Sequence, residues 1–189
     1  GYTEWGASGL AAVWAENNTR ESIYEAFRRK ETFATSGSRI KVRFFGGYNL
    51  EKILEEGDPI KYAYANASSM GSDILQNQNQ VPEFMVWAIR DLKRAPLDRV
   101  QIIKGWTELS GKPHEKVYDV ACSDGRKANI KTGLCKDSRA KVNLSNCKIS
   151  KNFGADELKV VWKDPDFNPK LKAFYSVSYT HLTLPTKNE

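Results

Sequence analysis

Histidine, methionine and cysteine are scarce in this chain of 189 residues, at two, two and three copies. With only His114 and His181, a histidine-rich metal cluster built by this chain alone is excluded. Long hydrophobic runs are missing too. The run Phe84-Met85-Val86-Trp87-Ala88-Ile89 falls far short of a membrane span. The opening Gly1-Tyr2-Thr3-Glu4-Trp5 has no initiator Met, no basic segment and no apolar stretch of a signal peptide, and reads as the middle of something longer. No internal repeat is visible. What remains suffices for a core: 40% of the residues are hydrophobic and 28% charged, which excludes disorder by composition. The length fits one large domain or two small ones.

The net charge of +6 is concentrated. Residues 112–151 carry ten basic and four acidic side chains, so the rest of the chain is close to neutral. Such a stretch suits nucleic acid, an anionic glycan or a membrane surface. Nucleic-acid grooves add aromatic platforms, and here only Tyr118 offers one, so no nucleic-acid partner is expected. A solvated lysine-rich loop is the plain expectation.

Local patterns divide the chain. The run Gly9-Leu10-Ala11-Ala12-Val13-Trp14-Ala15 has strand length. Asn18, three residues before Glu21, looks like a capping box, and Ile23, Ala26 and Phe27 recur at helical spacing, predicting a helix over residues 19–30. Thr32-Phe33-Ala34-Thr35 reads as a strand, Ser36-Gly37-Ser38 as its turn, and Ile40, Val42 and Phe44 alternate as a further strand. Residues 48–81 read as connector, with one helical turn at 50–54 stopped by Gly57-Asp58-Pro59 and a mobile polar tip at 76–80. Apolar on both faces, residues 83–89 predict a central strand. Residues 100–106 and 115–121 predict a hairpin around Ser110-Gly111-Lys112-Pro113. Loops and short edges are expected over 122–150, then a short helix over 156–162.

Chemistry-bearing motifs are few. His114 has Glu115, Asp119 and Asp124 nearby but follows a Gly/Pro turn, where a surface histidine is expected. Gly46-Gly47 lacks the context of a phosphate loop, and three glycosylation-like triplets begin at Asn17, Asn66 and Asn143. Cys122, Cys135 and Cys147 are spaced by thirteen and twelve residues, unlike a zinc knuckle. Disulfide chemistry in an exported protein explains them better than buried thiols, although an odd count leaves one without a partner.

Several runs together resemble a bacterial family catalogued as domain of unknown function 3604. They are Gly9 through Glu21, Glu31 through Ile40, Val42-Arg43-Phe44-Phe45-Gly46-Gly47, Leu97 through Trp106, His114 through Ala121, Val161 through Phe167, and Ala173-Phe174-Tyr175. The resemblance implies the C-terminal part of an exported protein, periplasmic or secreted, similar to metal-dependent hydrolases of the polymerase-and-histidinol-phosphatase type. The His/Asp motifs that hold the divalent metal in such proteins lie upstream in the family, and none occurs here. No catalytic residue, metal ligand or cofactor is therefore expected in this fragment, which is expected to be inactive alone.

The implied fold is α+β. Residues 1–47 would be the closing strand–helix–strand of a truncated barrel, and 48–175 a mainly antiparallel β-sandwich-like domain. The missing N-terminal barrel of the same chain would be its partner. Residues 176–189 resemble a translated library-adapter artefact of metagenomic sequences and are expected to be a non-native tail. Thr35, Ser36 and Arg39, following a barrel strand, are candidates for the substrate-facing rim; the competing expectation is a turn whose hydroxyls bond their own backbone. Cys122 and Cys135 are expected to pair, leaving Cys147 a free thiol whose partner was lost with the authentic C-terminus. The leading role is to pack on the barrel and shape its rim. The alternative is an independent module binding an anionic glycan through residues 112–151.

Overall fold

A computed structural model describes residues 9–77, 80–143, 145–146, 148–150 and 152–182. Strand β1 (Leu10–Val13), helix α1 (Arg20–Arg28) and strand β2 (Thr32–Thr35) come first. β1 and β2 pair antiparallel, Leu10 opposite Thr35 and Val13 opposite Thr32. A barrel's β–α–β crossover would leave its strands parallel. The expected closing unit is thus an antiparallel pair joined by a helix, and no sheet among the described residues closes into a barrel. The helix starts one residue later than expected. Thr19 is the N-cap and accepts from the Ser22 N–H, while Ser22 Oγ accepts from the Asn17 N–H.

The rest is two packed antiparallel sheets. One has the order β10 (Glu157–Lys163), β5 (Glu83–Ile89), β3 (Lys41–Gly47), β4 (Ser68–Ser69). The other has the order β11 (Ala173–His181), β6 (Leu97–Thr107), β7 (Pro113–Cys122). A small ribbon pairs β8 (Val142–Asn143) with β9 (Lys148–Ile149). Between the sheets lies the main core, where Val42, Phe84, Val86 and Ala88 meet Leu97, Val100 and Ile102. The opposite parity of the first sheet, with Phe45 and Met85, is covered by Leu50, Ile53 and Ala63. This two-sided burial is why residues 83–89 read as continuously apolar.

Two expectations fail here. Residues 59–66, read as connector, form helix α2 (Pro59–Asn66), with Asp58 capping the Lys61 N–H and Pro59 in the first turn. A 3-10 turn (Ile53–Glu55) precedes it. The short helix expected over 156–162 is strand β10, paired along its length with β5 from Glu157–Ile89 to Lys163–Glu83. Leu158, Val160 and Trp162 alternate onto the main core and Val161 onto the second, a period of two that overrides the helical reading.

Residues 176–181, assigned to the non-native tail, continue β11 and pair with β6 from Ser176–Ile103 to His181–Leu97; residues 183–189 lie outside the described residues. So do Gln78 and Asn79 of the polar tip, and Cys147. No helix among the described residues is long and apolar enough to cross a membrane.

Candidate functional site

The three rim candidates share one turn after β2. Thr35 Oγ1 donates to the Ser38 carbonyl at 2.5 Å and accepts from the Gly37 N–H at 3.2 Å, and Gly37 takes a φ of 117° that favours glycine. Thr35 thus spends its hydroxyl on its own turn. Ser36 and Arg39 are exposed, and the Arg39 N–H donates to Asp91 Oδ2 at 2.8 Å. The Arg39 N–H, then that of Lys93, holds the Asp91 carboxyl below its ordinary range.

β1, α1 and β2 leave apolar groups uncovered. Tyr24 is 57% and Phe27 54% exposed on α1, three residues apart and so on one side of it. Leu10, Ala11 and Ala34 are exposed on the strands. Only Ala26 and Glu31 are buried among residues 9–35. The unit is tied to the sheets by the Trp14 indole N–H on the Val42 carbonyl (2.8 Å), the Arg43 guanidinium 3.5 Å above the Trp14 ring, and the Tyr179 hydroxyl on the Ala34 carbonyl (3.1 Å).

The densest polar chemistry is elsewhere. Val100, Ile102 and Lys104 share one parity of β6, so Lys104 points inward and is only 3% exposed. Its ammonium donates to Asp164 Oδ2 at 2.6 Å and to the Asp166 carbonyl at 2.7 Å. The Tyr175 hydroxyl donates to the same Asp164 oxygen at 2.7 Å, while the Tyr118 hydroxyl (2.5 Å) and Lys116 both reach Asp166 Oδ2. Burial, then the hydrogen bond to a carboxylate, pushes the Tyr118 and Tyr175 phenols well above their ordinary range. Lys116 and then Tyr118 hold Asp166 below its own.

A shallow depression, with room for about 20 Å³, opens beside the network, lined by Lys104, Trp106, Asp166, Phe167, Asn168 and Leu171 among others. Two lysines face two aspartates, so the cluster is self-neutralising. It holds the sheets together and presents no free nucleophile. Sequence reasoning missed it, although the inward parity of Lys104 after Val100 and Ile102 was a readable signal.

His114 is stacked on Trp106, with centroids 5.2 Å apart, and its Nε2 lies 2.6 Å from Glu108 Oε1. Cys122 and Cys135 form a disulfide with α-carbons 6.1 Å apart. Around it, Asp119 accepts from Arg99 (2.9 Å), Gln101 (2.7 Å) and the Cys135 N–H (2.6 Å), and Arg126 reaches Asp98 at 2.6 Å. Among the described residues no three His, Cys, Asp or Glu side chains converge so as to hold a metal ion.

A comparison with protein families matches residues 1–187 to the family described as "Protein of unknown function (DUF3604)". No curated protein and no solved structure matches.

Proposed function

The chain belongs to the DUF3604 family, and from that premise we propose that it is the C-terminal, non-catalytic portion of an exported metal-dependent hydrolase. In this reading β1, α1 and β2, an antiparallel unit and not a barrel crossover, pack on the upstream part of the parent. The following β-sandwich-like domain shapes the rim near Thr35, Ser36 and Arg39. One observation carries it: the first unit exposes Tyr24, Phe27 and Leu10, with Ala26 its one fully buried apolar side chain and Phe33 only partly buried against the main core. A two-stranded pair is marginal by itself and gains stability by burial against a partner. Among the described residues no donor set fits the divalent metal that the resemblance implies, so the upstream barrel would supply the ligands. The Cys122–Cys135 bond fits a periplasmic or secreted location.

The test is fragment complementation. The upstream part of the parent, expressed separately, should capture this chain, and Tyr24→Asp with Phe27→Asp should weaken capture at least tenfold. Capture that is absent, or indifferent to both changes, would overturn the reading. In the intact parent, Arg39→Ala should raise KM or lower kcat with melting temperature unchanged. Lost stability with intact kinetics would reduce Arg39 to a turn residue.

A further inference from the structure

The segment between β7 and β8 holds cations that pair with no carboxylate among the described residues. Ala128 and Cys135 form an antiparallel bridge; the Asn129 N–H donates to the Leu134 carbonyl at 2.9 Å, and the Gly133 N–H to the Asn129 carbonyl at 2.8 Å. These bonds close a tight hairpin with Ile130, Lys131 and Thr132 at its tip. Asn129 Oδ1 accepts from the N–H groups of Lys131 (2.8 Å) and Thr132 (3.3 Å), so the tip is shaped by its own backbone. Its base is pinned by the disulfide, by the Asp119 N–H on the Gly133 carbonyl (2.8 Å), and by Arg126 on the Lys136 carbonyl (2.6 Å).

On this fixed frame Ile130 is 102% exposed and Leu134 44%. Lys127, Lys131 and Lys136 are exposed on the hairpin, Arg139 and Lys141 are exposed on the segment that follows it, and none pairs with a carboxylate among the described residues. Lys127 and Lys136 flank the bridge on facing strands, where like charges cost stability. Few carboxylates oppose them. Asp124 accepts from the Gly154 N–H and from Ser123, and Asp119 is buried in its own network. Asp137 is the remaining exposed acid of the segment.

We infer that this hairpin docks the protein on an anionic lipid surface, with Ile130 and Leu134 entering the acyl boundary and Lys127, Lys131 and Lys136 lying at the headgroup phosphates. A cationic rim around an apolar tip is the arrangement that such a surface rewards twice, through charge and through burial. A glycan or nucleic acid would use the cations and leave Ile130 idle.

Flotation of the full chain with vesicles of phosphatidylcholine and phosphatidylglycerol tests this, against phosphatidylcholine alone. Binding should require the anionic lipid and fade with salt. Lys131→Ala should weaken it about fivefold, and Ile130→Ser about tenfold. Both residues are exposed, so the melting temperature should stay put. Absence of vesicle binding overturns the inference. So does an Ile130→Ser variant that binds vesicles unchanged, which would leave charge alone as the driver, or retention on heparin with no vesicle binding, which would identify a soluble polyanion as the partner.

Discussion

The β1–α1–β2 unit and the two-sheet stack follow opposite rules. The first is specified by short-range signals: a cap at Thr19, a helix nine residues long and a four-residue pairing, with Ala26 its one fully buried apolar side chain. The second is held by partners far apart in sequence, such as Phe84 with Tyr175 and Lys104 with Asp164. Local specification makes elements easy to form but leaves them without a core. Long-range specification makes a core, and leaves its elements hard to identify in isolation.

Substitutions can break or sharpen this contrast. The largest effect belongs to the stack. Lys104→Met strands Asp164, which is 2% exposed, and should cost about 3–5 kcal/mol in chemical denaturation. Lys104→Met with Asp164→Leu should recover most of that loss; a double variant as weak as the single one would show that the pair does more than neutralise itself. Next, replacing Cys122 and Cys135 by Ser should remove roughly 3 kcal/mol in the chain-entropy model, read as a lower urea midpoint.

Alkaline pH probes the same network more gently. Tyr118 and Tyr175 keep their protons in the fold at pH values where the unfolded chain ionises its phenols, near ~10. The raised folded value means that their stabilisation is complete below that point and is lost as pH rises above it. The melting temperature should therefore fall above pH ~10, and fall less steeply in a Tyr118→Phe, Tyr175→Phe variant. In the local unit effects shrink: Thr19→Ala should cost about 1 kcal/mol through the lost cap. Phe27→Ser should change the stability of this chain by less than about 0.5 kcal/mol. A large loss at Phe27 would mean that the unit already has a core.

The legible parts of the fold follow the same division. The strand–helix–strand order over residues 9–35 is readable because caps and periodicity act within a few residues. So are the central position of β5 and the β6–β7 hairpin, through two-sided apolarity and the Ser110-Gly111 turn. β10 misleads because Leu158, Val161 and Trp162 also satisfy a helical spacing, and only pairing with β5 decides between periods. α2 hides behind Asp58-Pro59, a pair that stops one helix and starts another equally well. Of the candidate site, the turn at Thr35, Ser36 and Arg39 is readable as a turn. The Lys104 network is harder, because its members come from β6, β7, β11 and the segment after β10, and no local pattern links them.

The distance along the chain from Lys104 to Asp164, 60 residues, also sets an order of events during synthesis. When β6 and β7 have left the ribosome, their hairpin can form, yet its inward lysine has no counter-charge. Closing the sheets at that stage would trap a bare ammonium in an apolar interior, so the nascent hairpin stays open to water. Only after the segment bearing Asp164 and Tyr175 emerges does closure become favourable. The stack therefore assembles late and as a whole, with apolar strand faces exposed until then.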